Sequence, residues 1–214
     1  MGASLSWIAF NHISRNELVN KLGLCEVAAS EEVNRGGRFE IHDMENGWCV
    51  VVGKEPVEKF LALNDLSKGG ALVWCAVEEH VNYSATGYWK DGAREWELSH
   101  HPEQNDDMSD LTIEGQLPSN LGKIRDRLVD EQQQSDCDVI SDLAVEIGEA
   151  VTGFRHDVVL DEISSRMFEV VEGGVMDQSL VKMKKYRQSF VIKIVTAVVG
   201  VIAAAAALGY WFRS

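Results

Sequence analysis

The chain has 214 residues, 45% of them hydrophobic, which suffices for one domain of ordinary size with an appendage. Its formal net charge of −14 conceals an asymmetry, because the last acid is Asp177 and Lys182, Lys184, Lys185, Arg187, Lys193 and Arg213 all follow it. With those 6 of the 20 cations set aside, residues 1–181 hold 14 cations against 34 acids, a net −20 that repels nucleic acid and suits basic partners or cations. The same acidity also serves solubility and keeps a head off an anionic membrane surface.

Taken in chain order, Leu5 to Phe10 reads as a first strand. Ser14 with Glu17 three residues later forms a capping box for a short helix that Gly23 ends. Glu31 to Asp43 is ambiguous, with strand character. Trp48 to Val52 is an unbroken apolar run between Gly47 and Gly53, the pattern of a central strand. Pro56 opens a helix through Val57, Phe60, Leu61 and Leu63 that stops near Gly69-Gly70, and Ala71 to Val77 is a second buried strand. Tyr83 to His101 is a hairpin about Asp91-Gly92, a pair that supplies the two positive φ angles of a type I′ turn. Regular pairing sets Trp89 opposite Arg94 and gathers Tyr83, Ala85, Trp89, Trp96, Leu98 and His100 on one face. Thr86, Glu95, Glu97 and His101 then share a solvated face. Leu111 to Leu117 alternates as a last strand.

Beyond Pro118 the period becomes helical. Leu121, Ile124 and Leu128 mark one helix, Leu143, Ile147, Val151 and Phe154 a second with Gly153 as its C-terminal cap, and Leu160, Ile163, Met167 and Val170 a third before Gly173-Gly174. The expected class is α+β with a mixed or antiparallel sheet and packed helices, and the β-α-β-β-α-β order of the first eighty residues suggests a ferredoxin-like arrangement.

From Ile194 to Phe212 no charge occurs, and 19 residues at about 1.5 Å each cover the ~30 Å hydrocarbon core of a bilayer. Basic residues precede this run, and Tyr210, Trp211 and Phe212 stand where the far interface falls. Lys193 adjoins the span, where its stem can snorkel. The expected organisation is an acidic cytoplasmic domain over 1–172, a stalk over 173–188 and a single transmembrane helix over 189–212 in a tail-anchored arrangement, with the lipid bilayer as one partner. Thr196, Gly200 and Ala204 form a small-residue stripe on which two such helices could dimerise, although an alanine-rich span produces such stripes by chance.

Cys25, Cys49, Cys75 and Cys137 are spread singly and read as small buried core residues in a reducing compartment, since no secretory signal opens the chain. Met1-Gly2 with Ser6 fits the loose pattern for N-myristoylation, but a strand already begins at Leu5. No phosphate-binding glycine loop, G-x-S-x-G elbow, H-E-x-x-H or paired-cysteine zinc signature occurs, so the motifs point away from an enzyme and no cofactor is expected. The remaining metal candidates are His80, His100, His101 and Glu78, of which His80, His100 and Glu78 could converge if the strand ending at His80 lies beside the hairpin; more simply, His100 on the apolar face reads as a hydrogen-bonded core residue and His101 as a solvated one. Arg155-His156-Asp157 reads either as catalytic or, more simply, as a salt bridge holding the helical end to the sheet.

Ser6-Trp7-Ile8-Ala9, Cys75 to Val81, Ile124 to Leu128 and Thr152 to Asp157 together resemble an uncharacterised family of bacterial proteins over residues 4–171. The resemblance implies a bacterial inner-membrane setting and no established activity. On these grounds the expected function is a membrane-tethered acidic interaction or regulatory module that captures a basic protein. The alternative is a membrane-anchored metal-dependent hydrolase using the clustered histidines.

Overall fold

The computed structural model describes residues 4–27, 38–54, 57–102, 107, 109–158, 165–190 and 192–193. Its strands are β1 (Ser4–Phe10), β2 (Leu24–Glu26), β3 (Arg38–Asp43), β4 (Cys49–Gly53), β5 (Ala71–Glu78), β6 (Tyr83–Lys90), β7 (Ala93–His100), β8 (Leu111–Gly115) and β9 (Ser165–Val170). They form one antiparallel sheet in the order β2-β9-β3-β4-β1-β5-β6-β7-β8. The helices are α1 (Arg15–Leu22), α2 (Leu63–Leu66), α3 (Ser119–Gln132), α4 (Leu143–Thr152) and α5 over 175–190.

The class is therefore α+β with an antiparallel sheet, but the ferredoxin-like order does not hold. β1 lies between β4 and β5 and is antiparallel to both. Both faces of the sheet are covered, which explains why the central strands read as unbroken apolar runs. Ile8, Phe10, Val51, Leu72 and Trp74 point to one layer, where α1 contributes Leu18 and Leu22 and α5 contributes Met176, Leu180 and Met183. Trp7, Ala9, Val50, Val73 and Cys75 point to the other, where α3 and α4 supply Leu121, Leu128, Leu143 and Ile147. Alternation is hidden whenever both sides of a strand are dry.

Local signals are where the sequence places them. Ser14 and Glu17 close a reciprocal capping box, and Gly23 and Gly153 cap their helices in the left-handed conformation. Asp91 and Gly92 take φ of 49° and 86°, the two positive angles of the expected turn.

Longer-range expectations fare differently. Of the third expected helix, Leu160 and Ile163 lie outside the described residues, and 165–170 is not a helix but β9, because Phe168 fits the apolar slot opposite Phe39 between β2 and β3. The helix expected from Pro56 is a 3-10 turn (Val57–Phe60) followed by the one-turn α2. Within the expected stalk, α5 packs on the sheet, with Met176 and Met183 only 1% and 2% exposed. Of the cysteines, Cys49 and Cys75 are buried whereas Cys25 and Cys137 are exposed.

The hairpin contains the most consequential difference. Trp89 does face Arg94, but the next pair is Tyr88 with Trp96, so Glu95 is an extra residue on β7. This bulge turns every later residue of β7 over relative to β6. Trp96, Leu98 and His100 thus share a face with Thr86 and Ser84, under α4, while Glu97 lies beside Gly87 on the opposite face. Thr86 is wholly buried, its hydroxyl donating to the Trp74 carbonyl.

Among the described residues no helix is long and apolar enough to cross a membrane. From residue 194 on, the expected span, with Gly200, Tyr210 and Trp211, lies outside the described residues, and Lys193 is helical and exposed.

Candidate functional site

Where α1 and α5 leave the sheet uncovered, β5, β6 and β7 present Trp74, Tyr83, Trp89 and Glu97 to a cleft of about 320 Å³. The 3-10 turn Val57–Phe60 supplies Glu58 and Lys59, and the following residues supply Leu61, Leu63 and Asn64. Gly87 makes the close approach of the two indoles possible. A Cβ there would stand 2.6 Å from the Trp89 ring and 2.7 Å from Trp74 Nε1.

Glu58 is the unusual member. It is 2% exposed, and among the described residues neither carboxylate oxygen has a hydrogen-bond partner. Its carboxyl is pushed up to about 7, chiefly by burial; its own amide, the Lys59 ammonium and the Ser6 hydroxyl favour the ionised form without reaching either oxygen in hydrogen-bonding geometry. Leaving such a group unmatched costs free energy that a structure rarely tolerates without a use for it. The Lys59 ammonium instead sits 5.0 Å over the Tyr83 ring. Burial and the nearby Glu58 charge push the Tyr83 hydroxyl up to about 12, and burial pushes the Cys75 thiol up as well. Neither is an activated nucleophile. The cleft can hold a proton or a cation on Glu58, between aromatic walls.

The four metal candidates are not brought together. His100 lies under the helical layer, wholly buried, with Nδ1 against the Asp110 carbonyl and Nε2 3.0 Å from Asp138. It ties β7 to the segment between α3 and α4, where Asp138 also accepts from the Ser141 amide. His101 points to the other face and stacks edge-on against Tyr83. His80 is exposed in a turn whose amide donates to Glu78. Among the described residues no group of three or more His, Cys, Asp or Glu side chains is placed to hold a metal ion.

Arg155, His156 and Asp157 border a second cleft with Glu79, Ser141 and Asp142. Arg155 donates to Asp157 at 2.8 Å and also pairs with Glu149, so its guanidinium fastens the loop after α4. Burial pushes the half-buried His156 below the usual histidine range, partly offset by Asp157.

Sequence reasoning missed Glu58 entirely. An acid two residues after a proline reads as an ordinary first-turn helix residue. Only the packing of its turn against β1, with β5 and β6 lining the same cleft, makes it a site. Compared with protein-family models, with curated proteins and with solved structures, the chain matches none.

Proposed function

We propose that the protein is an acidic interaction module, tethered to a membrane by the apolar segment 194–212, that captures a basic protein at the cytoplasmic face. One observation carries this reading. Every described arginine before residue 181, namely Arg15, Arg38, Arg94, Arg125, Arg127, Arg155 and Arg166, is already ion-paired to a carboxylate of its own domain. The surplus behind the net −20 is therefore left to the surface, where a basic partner can neutralise it. The basic run from Lys182 to Lys193 gives the opposite sign next to the membrane, where anionic lipid attracts it.

Affinity capture from membranes with the full-length chain tests the reading. A basic partner should be retained at low salt and released as salt rises, because screening shortens the reach of surface charge. Retention indifferent to salt, or no basic partner at any salt, overturns it. Orientation is tested in a Cys25→Ser, Cys137→Ser background, which removes the two exposed native thiols. A cysteine added after Ser214 should react in spheroplasts with an impermeant reagent, and one at Gln178 only after lysis. The Thr196, Gly200 and Ala204 stripe supports self-association, and Gly200→Ile should weaken crosslinking within the membrane while leaving insertion intact.

A further inference from the structure

We propose that the Glu58 cleft is the point at which that partner is held, and that its ligand is the N–H-bearing cationic end of a lysine or arginine side chain. The inference rests on the reading above and adds the site and the chemistry. Glu58 is 98% enclosed, taking its 2% exposure, yet lines an open cleft with both oxygens unpartnered. A carboxylate so placed needs a donor that also carries positive charge. Trp74, Trp89 and Tyr83 offer ring faces and edges for the apolar stem and the charge, and Leu61 and Leu63 extend the apolar wall. Glu97, turned into the cleft by the bulge at Glu95, adds a second carboxylate, one oxygen of which accepts from Arg94 at 3.1 Å. None of the described residues fills the place. Its nearest ammonium, on Lys59, rests over Tyr83 and leaves the Glu58 oxygens empty. A quaternary ammonium has charge but no N–H, and a neutral alkyl chain has neither, so both should be poor substitutes.

The test is calorimetric titration of the full-length chain in neutral detergent with four blocked amino acids: N-acetyl methylamides of lysine, arginine, norleucine and trimethyllysine. The lysine or arginine probe should bind at least tenfold more tightly than norleucine and trimethyllysine. Glu58→Gln should abolish that preference, with an unfolding curve showing that the variant is folded. Glu97→Gln, at a residue outside the core, should weaken the cationic probe severalfold and serves if Glu58→Gln does not fold. Equal binding of trimethyllysine would mean that the rings read charge without the carboxylate, and overturns the proposal, as does equal binding of norleucine or binding of no probe. The two readings separate cleanly. If Glu58→Gln still captures a basic partner in a salt-sensitive way, the cleft assignment fails and the module stands. Should the probes bind while no basic partner is recovered, the module fails and the cleft stands.

Discussion

Gly148 of α4 lies against the indole of Trp7 on β1, so close that a Cβ on the glycine would fall 2.7 Å from the ring. Trp7 is 1% exposed and is held on another side by Phe154, edge-on at 5.5 Å. Helix and central strand therefore meet at a point where no methyl group fits. Ala is the better helix former by about 1 kcal/mol, but forcing bulk into a close-packed contact costs about 1–3 kcal/mol. Overpacking should win. Gly148→Ala is expected to lower stability by about 1–2 kcal/mol in urea unfolding, with part of the loss recovered when Trp7→Phe is added in a double-mutant cycle. Equal or greater stability of the single variant would show that α4 can move away from the sheet.

The bulge at Glu95 has a matching constraint on β8. Gly115 adopts φ of +81°, and a Cβ there would stand 2.2 Å from the Glu95 carbonyl oxygen. Gly115→Ala should cost about 2 kcal/mol or more, since strain and collision with backbone act together. Deleting Glu95 should be worse. It removes the extra residue and turns Leu98 and His100 out of the helical layer, so cooperative unfolding should weaken or vanish. A deletion variant with native stability would mean that the register does not depend on the bulge.

Glu58 makes stability fall with rising pH. Its folded pKa of about 7 lies above the ordinary value of 4.5, so between those two the folded chain holds a proton that the unfolded chain has released. The contribution is whole below about 4.5 and is lost as pH rises through about 7, on the order of 3 kcal/mol in full. Glu58→Gln should match the native chain near pH 5 and exceed it at pH 8, in chemical unfolding at each pH. Parallel curves for the two proteins would show that the carboxylate ionises in the fold without penalty. The same substitution is the one expected to destroy cation binding, so stability and recognition pull this residue in opposite directions.

The extent of the head can be found by truncation. A chain ending after Gln188 keeps Leu180 and Met183, which are 5% and 2% exposed in the layer beneath β1 and β5. Ending after Gln178 removes both. At about 1.5–3 kcal/mol for each fully buried side chain, the shorter chain should lose roughly 3–6 kcal/mol and melt well below the longer one. Coincident melting curves would show that the second half of α5 contributes nothing to the core.

What could be read without coordinates were the features set by neighbours in sequence. The capping box at Ser14, the left-handed caps at Gly23 and Gly153, the Asp91-Gly92 turn and the apolar runs of β4 and β5 each depend on a few adjacent residues. For these, local conformational preference and tertiary structure agree. The buried, hydrogen-bonded reading of His100 was also available, because an apolar hairpin face leaves a histidine little else to do. Its partner Asp138 was not, being 38 residues away on a loop with no pattern.

The tertiary structure alone decided which side of each element is buried against what. β9 carries a helix-like spacing of Met167 and Val170, yet it is a strand, since the open edges of β2 and β3 pair with it along their length. Leu180 and Met183 look like stalk residues beside four cations, yet the sheet needs an apolar cover there. The candidate site has the same origin. A single inserted residue, Glu95, reverses the facing of β7 and sends Glu97 toward Glu58, and no periodicity in the sequence reports an insertion in a two-residue repeat. The charge on Glu58 was written in the chain; its isolation from water came from strands distant in sequence, β1 before it and β5 and β6 after it, and that isolation is what makes it a place to hold a cation.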